Sequence, residues 1–215
     1  MKTGKASRKE REYLRHRQEI LRTALELFSQ RGFHNVSMHE IATASEFAVG
    51  TLYKFFSNKE ALYRALIIDS SQVFHSSLMA SLTTSGNELE KIRSCVEAKI
   101  KVFMENLDYV RLYLAETRGA SFNIKAGLDA DIKLMLEEFL EKLASDFESG
   151  IKKGLFKAFD PYLLAVALDG ISNAFLFVHL DHPDKKAFDA NLILNIFFQQ
   201  LYKKGEIEKC NTKPV

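Results

Sequence analysis

An all-α fold is what this sequence predicts, and three observations predict it. Its 215 residues hold only three prolines and ten glycines. Apolar residues recur three and four positions apart in most segments, and alternation with a period of two is nowhere sustained. With 47% hydrophobic and 27% charged residues, the chain can bury a substantial core as one or two domains.

The first helix carries Ile20, Leu21, Ala24, Leu25 and Phe28 on one stripe, and Gly32 stops it. In the next segment, "VSMHEI", Ser37 can cap a helix and Glu40 can reach back as its capping-box partner. Val36 and Ile41 sit at the spacing of a hydrophobic staple. That helix is short, because the pattern breaks by Ala44 and a turn must lead into "FAVGTLYKFF", Phe47 to Phe56. A second box, "SNKE", opens a longer helix at Ser57 with Glu60. Two short helices joined by a tight turn and packed on a longer one make a helix-turn-helix over residues 1–64.

Helical spacing lets "FAVGTLYKFF" do two things at once. Phe47, Leu52 and Phe56 can lie against the first helix as core, while Val49, Gly50, Thr51, Tyr53 and Lys54 face away. The outward set suits a DNA groove. Gly50 permits close approach, Thr51 offers a hydroxyl and a methyl, and Tyr53 and Lys54 can donate to phosphates or base edges. Lys59 adds a charge in the first turn of the following helix. The charge distribution points the same way: residues 1–64 hold 12 Lys and Arg against 7 Asp and Glu, whereas 65–215 hold 18 against 21. Ahead of Ile20, Lys2, Lys5, Arg8, Lys9, Arg11, Arg15 and Arg17 form a basic arm that either tracks phosphates or is a solvated tail, disordered over 1–8.

Beyond the long helix, further helices are expected over about 87–106, 108–118, 127–153, 161–179 and 185–204, with Pro161 in a first turn and Pro183 after a helix end. The boundary falls near residues 64 and 65, inside the fourth helix. The last two helices are more apolar than one buried stripe requires. Ala167, Gly170 and Ala174 make a small-residue ridge, and with Ile193 and Phe197 they are expected at a two-fold four-helix dimer interface.

The run from Ile20 to Leu66, "ILRTALELFSQRGFHNVSMHEIATASEFAVGTLYKFFSNKEALYRAL", resembles the DNA-binding domain of the TetR family of bacterial transcriptional regulators. The matching pieces are Ala24 and Phe28, Gly32-Phe33, Ser37, Ile41-Ala42, Gly50-Thr51-Leu52-Tyr53, Phe56 and Lys59-Glu60-Ala61-Leu62. The resemblance implies that the third helix, about 48–55, enters the major groove. It puts Val49, Gly50, Thr51 and Lys54 at bases, Ser37, Tyr53 and Lys59 at phosphates, and His39 where some members read a base. It also implies a homodimer on a palindromic operator and a second domain, 65–215, that binds a small effector and dimerises. Most such regulators repress. Phe103, Tyr109, Tyr113, Phe122, Phe139, Asn173 and Phe177 are the residues that could line an apolar effector pocket. Two positions depart from the family pattern: Glu46 stands where a turn glycine is usual, and Ala48 where Ser or Thr caps the third helix.

Other classes are expected to fit less well. "HLDHPD" places His179, Asp181, His182 and Asp184 close together, but at a helix end and without a third segment of ligands, so no metal, cofactor or catalytic site is expected. A nonspecific architectural DNA-binding protein would carry a larger positive surplus than +2. Cys95 and Cys210 fit no metal or redox spacing, the amino terminus lacks the apolar core of a signal peptide, and Asp169 and Asn173 interrupt the most apolar stretch. A cytoplasmic location is the expectation.

Overall fold

The computed structural model describes residues 7–117, 122–182, 189–198 and 201, with backbone alone for 115–117 and 122–129. Among them are nine α-helices: α1 (Arg8–Arg31), α2 (Met38–Ala44), α3 (Val49–Phe55), α4 (Lys59–Ser81), α5 (Glu88–Glu105), α6 (Leu107–Thr117), α7 (Phe122–Lys152), α8 (Pro161–Asp181) and α9 (Ala190–Phe198). A 3-10 turn, Phe33–Asn35, follows α1. No strand occurs among the described residues, and the fold class is all-α as predicted.

Helix ends follow local hydrogen-bonding chemistry. Ser7 and Glu10 form a capping box at α1, as Ser37 and Glu40 do at α2, each satisfying backbone N–H groups that the first turn leaves open. α1 therefore begins twelve residues before Ile20, and the basic arm from Arg8 onward is helix; residues 1–6 lie outside the described residues. The α4 cap is Asn58 rather than Ser57: its Oδ1 accepts from Ala61 N at 2.7 Å. Asn87 and Glu90 box the start of α5, and Asp160 caps α8 with Pro161 in its first turn. α7 starts at Phe122 rather than near 127. Pro183, and the parts of the expected last helix at 185–188, 199–200 and 202–204, lie outside the described residues.

The described residues divide into two compact units. One comprises the chain up to Ser71 together with Asn106–Ile132; the other comprises Gln72–Glu105 and the chain from Lys133 onward. This differs from a boundary at residue 64 because α6 packs on α1 and is held to α4. Ser71 and Tyr109 share a hydrogen bond of 2.8 Å, and burial pushes the Tyr109 phenol up to about 12. In the same unit Arg64 reaches Asp131 at 3.0 Å.

The first unit is sealed by Ile20, Ala24 and Phe28 of α1 against Ile41, Leu52, Phe56 and Leu62, each no more than 5% exposed. Phe33 joins Phe28 and Tyr63 through ring contacts of 5.4 and 5.0 Å. Arg17 ties α1 to α4 by a two-pronged bond to Asp69 and lies 5.7 Å over the Phe56 ring.

The second unit packs α5, α7, α8 and α9 around Ile92, Val96, Leu143, Phe147, Phe156, Leu168 and Ile193. Its buried carboxylates are paired with lysines. Glu88 accepts from Lys153 Nζ at 2.5 Å and from Ser149 Oγ at 2.8 Å, and these bonds hold its carboxyl down at about 2 against the opposing effect of burial. Asp146 takes Lys142 at 2.8 Å and Lys91 at 3.5 Å. Lys99 of α5 is paired with Asp169 of α8, whose other oxygen accepts from Asn173 at 2.8 Å. Removing one partner from such a pair leaves an uncompensated charge in a dry site. Burial pushes the Cys95 thiol up to about 12, so it behaves as a small core group; Cys210 lies outside the described residues.

Two similar turns close α2 and α7. In each, two N–H groups past the helix end bond to carbonyls of the last turn: Glu46 to Thr43 and Phe47 to Ala42, and likewise Gly154 to Ile151 and Leu155 to Gly150. The motif needs a left-handed residue. Gly154 provides it in α7 at φ 76°, but in α2 it is Glu46 at φ 58°.

Candidate nucleic-acid interface

The turn at Glu46 brings α3 out at an angle to α2, and the two ends of "FAVGTLYKFF" then fix the helix. Leu52 is fully buried and Phe56 is 5% exposed, so one edge of α3 faces the core. Phe47 is half-buried, with the His16 ring packed edge-on at 5.0 Å. Ala48 is the residue before the helix, at φ −64° and ψ 139°, and makes no side-chain cap. α3 therefore begins at Val49. Gly50, Tyr53 and Lys54 are exposed, with Val49 and Thr51 partly so. A Cβ added at Gly50 would meet nothing within 4 Å.

The strain and the missing cap are separable. A non-glycine residue in the left-handed region costs roughly 1–2 kcal/mol, and an absent cap about 1 kcal/mol. Glu46→Gly and Ala48→Ser are each expected to raise stability by about 1 kcal/mol. Thermal melts followed by circular dichroism check this: unchanged melting of Glu46→Gly would show the turn to be unstrained, and unchanged melting of Ala48→Ser would show that α3 gains nothing from a cap.

Two of the residues expected at phosphates, Ser37 and Lys59, are held by the protein itself, while Tyr53 is exposed. Ser37 Oγ accepts from Glu40 N at 3.2 Å and gives its one proton to Glu40 Oε2 at 2.7 Å. With Arg31 at 2.7 Å, these bonds hold the Glu40 carboxyl at about 2. Lys59 Nζ donates to the carbonyls of Phe33 at 2.8 Å and Val36 at 2.9 Å, and stands 4.4 Å over the Phe33 ring. That changes the reading of Lys59: two of its three N–H bonds anchor the turn before α2, which leaves one for an outside partner. His39 is exposed on α2.

One set of contacts is not legible from the ten-residue stretch alone. Tyr13 stacks on Phe55, the last residue of α3, with ring centroids 4.7 Å apart. Tyr13, His16, Arg17 and Ile20 continue the three-and-four spacing of α1 toward its start, which is the signal that could have revealed this packing.

The expected effector residues fall into separate groups. In the first unit Tyr109 is buried with Tyr113 stacked on it at 6.1 Å. In the second, Phe103 and Phe177 face each other at 6.5 Å, one helical turn along from Lys99 and Asn173, while Phe139 belongs to the unit's core. The Phe122 side chain lies outside the described residues. Of the expected dimer residues, Ala167, Gly170 and Ala174 are exposed on α8. Ile193 and Phe197 are corrected: they are 0% and 8% exposed in the chain's own core, because α9 turns that edge inward and shows Leu192 and Ile196 instead.

α8 is long and apolar enough to cross a membrane by length and composition, with a mean hydropathy of 1.8 over a window of which 28% is buried. No group of three or more metal-ligating side chains occurs among the described residues.

A short helix sealed beneath by Leu52 and Phe56 and joined to α2 by a tight turn defines a helix-turn-helix DNA-binding regulator of transcription. Residues 20–66 match the sequence model of the bacterial regulatory proteins of the tetR family. Over those residues the chain is similar to that family. It is 27% identical over 168 residues to the HTH-type transcriptional regulator YhgD of Bacillus subtilis, covering 74% of this chain and 81% of YhgD. Its fold is similar to the fatty acid degradation regulator FadR from Bacillus halodurans, with a TM-score of 0.69, 20% identity, and coverage of 86% of this chain and 93% of FadR. AibR, solved with isovaleryl coenzyme A and operator DNA, superposes with a TM-score of 0.63 at 22% identity, covering 86% of this chain and 97% of AibR.

Proposed function

We propose that this chain is a cytoplasmic, homodimeric repressor whose α3 reads a palindromic operator and which a small, largely apolar effector releases from DNA. Gly50 carries the DNA reading. Glycine inside a helix costs about 0.5–1 kcal/mol relative to alanine, yet here no neighbouring atom of the chain needs the space. A groove floor pressed against α3 does need it. Val49, Thr51 and Lys54 then meet base edges, Tyr53 and the third N–H of Lys59 meet phosphates, and His39 approaches from α2. Ser37 serves by fixing the start of α2.

The same reasoning applies to Gly170, where an added Cβ also meets nothing within 4 Å. It sits on the α8 face with Ala167 and Ala174, beside Leu163 and Val178, which are 64% and 58% exposed. A second copy covering this face explains the small residues, which lipid would not require. Asp169, held by Lys99 and Asn173, also disfavours a bilayer. For the effector, the aromatic pair Phe103 and Phe177 beside polar Asn173 suits an acyl or aromatic group, and the isovaleryl coenzyme A bound by AibR supports that class.

Selection of duplexes from a random pool tests the DNA reading: an inverted repeat with half-sites about one helical turn apart is expected. Equal affinity for random and selected DNA at physiological salt would point instead to an architectural role. Gly170→Leu is expected to convert the dimer to a folded monomer that loses operator affinity by at least tenfold, as read by light scattering and DNA titration. A dimeric Gly170→Leu protein would put the interface elsewhere.

A further inference from the structure

Resting on the reading of α3 as the groove helix, we infer that the first turns of α1 form a rigid clamp for the DNA sugar-phosphate backbone, positioned by the stack of Tyr13 on Phe55. Charge and position support this independently. Between Arg8 and Arg17 the chain has five cations and two carboxylates, and one carboxylate, Glu10, is folded back onto the Ser7 N–H at 2.7 Å. Arg17 is consumed by Asp69. Arg8, Lys9 and Arg15 are exposed, and Arg15 meets its chain neighbour His16 at 3.3 Å.

Position follows from the inner edge of the same helix. Tyr13 meets Phe55 at the end of α3, and His16 meets Phe47 just before it. The extension is thereby fixed to the residues that bracket the reading helix. Lys9 lies on the Tyr13 edge, about 6 Å further along the axis, and Arg8 and Arg15, seven apart, share one flank. The major groove is about 12 Å wide, which one helix fills. A helix packed beside the end of α3 cannot enter that groove too, so it meets the phosphates bordering it. A tail would lose entropy on binding; this helix is already ordered by its capping box and its ring contacts.

The full-length protein provides the test. In Arg8→Ala/Lys9→Ala/Arg15→Ala, the slope of log affinity against log salt is expected to fall by about 5 for the dimer, at about 0.9 for each phosphate no longer neutralised by either protomer. Affinity should drop alike for operator and random duplex, with the preferred sequence unchanged, because phosphate contacts carry no base information. Tyr13→Ala, which keeps every charge but frees the helix, should weaken binding by roughly tenfold. A triple variant with the wild-type slope overturns the clamp while leaving the α3 reading intact. A reduced slope with Tyr13→Ala behaving as wild type overturns the pinned helix in favour of a loose tail. If the wild type itself fails to distinguish any sequence, the underlying reading fails instead. All three replaced residues are exposed, and matching melting curves confirm that the fold is unchanged.

Discussion

Lys59→Ala is expected to destabilise the first unit by about 2–3 kcal/mol and, through the loosened turn together with the lost phosphate contact, to weaken operator binding by more than tenfold. The side chain gives charge-assisted hydrogen bonds to two carbonyls, Phe33 and Val36, and lies over the Phe33 ring. Such bonds contribute about 1.5–3 kcal/mol each at most, and exposure of the site brings the sum to the lower figure. The effect reaches the reading surface because those carbonyls sit in the turn that positions Ser37 and α2. Lys59→Met isolates the two parts: it keeps the apolar stem and should recover only the packing share. Melting by circular dichroism, alongside titration with operator DNA, separates the two roles. Unchanged melting with abolished binding would return Lys59 to a purely phosphate-binding role.

Gly150→Ala should destabilise the second unit by about 2 kcal/mol, reversing the usual sign. In a helix interior alanine is normally better than glycine by about 1 kcal/mol. At Gly150, however, an added Cβ would overlap the ring of Phe156, which is 1% exposed. That ring cannot swing aside, being packed on Phe147 at 5.8 Å and Phe198 at 5.6 Å. Overpacking of this kind costs about 1–3 kcal/mol beyond the helical gain. Gly50→Ala makes the contrast, since its Cβ finds open space. A higher melting temperature for Gly150→Ala would mean that the ring relaxes.

The all-α class was legible because helical periodicity survives over most of the chain, and α3 was legible because its inward and outward residues differ in kind. The strained turn was legible from a single residue: Glu46, where a left-handed conformation is usual, does adopt φ 58°. What escaped was mostly long-range. Nothing local marks Lys59 as a partner of carbonyls 26 and 23 residues earlier. The α9 edge was misread because both of its faces are apolar, so composition alone does not say whether Ile193 or Leu192 turns inward. The early start of α1 was written in the sequence as Ser7 followed by Glu10, but the density of charge there masked it.

The division of the chain also limits how it can be taken apart. α6 returns to pack on α1, and Tyr109 returns to Ser71, so the unit bearing α3 is assembled from two stretches of sequence separated by α5. A gene fusion that transplants only the stretch up to residue 64 would carry the reading helix with the α6 side of α1 bare. On the proposed reading of α3, hybrid regulators made from this chain are expected to need the residues to 132 or a substitute for α6.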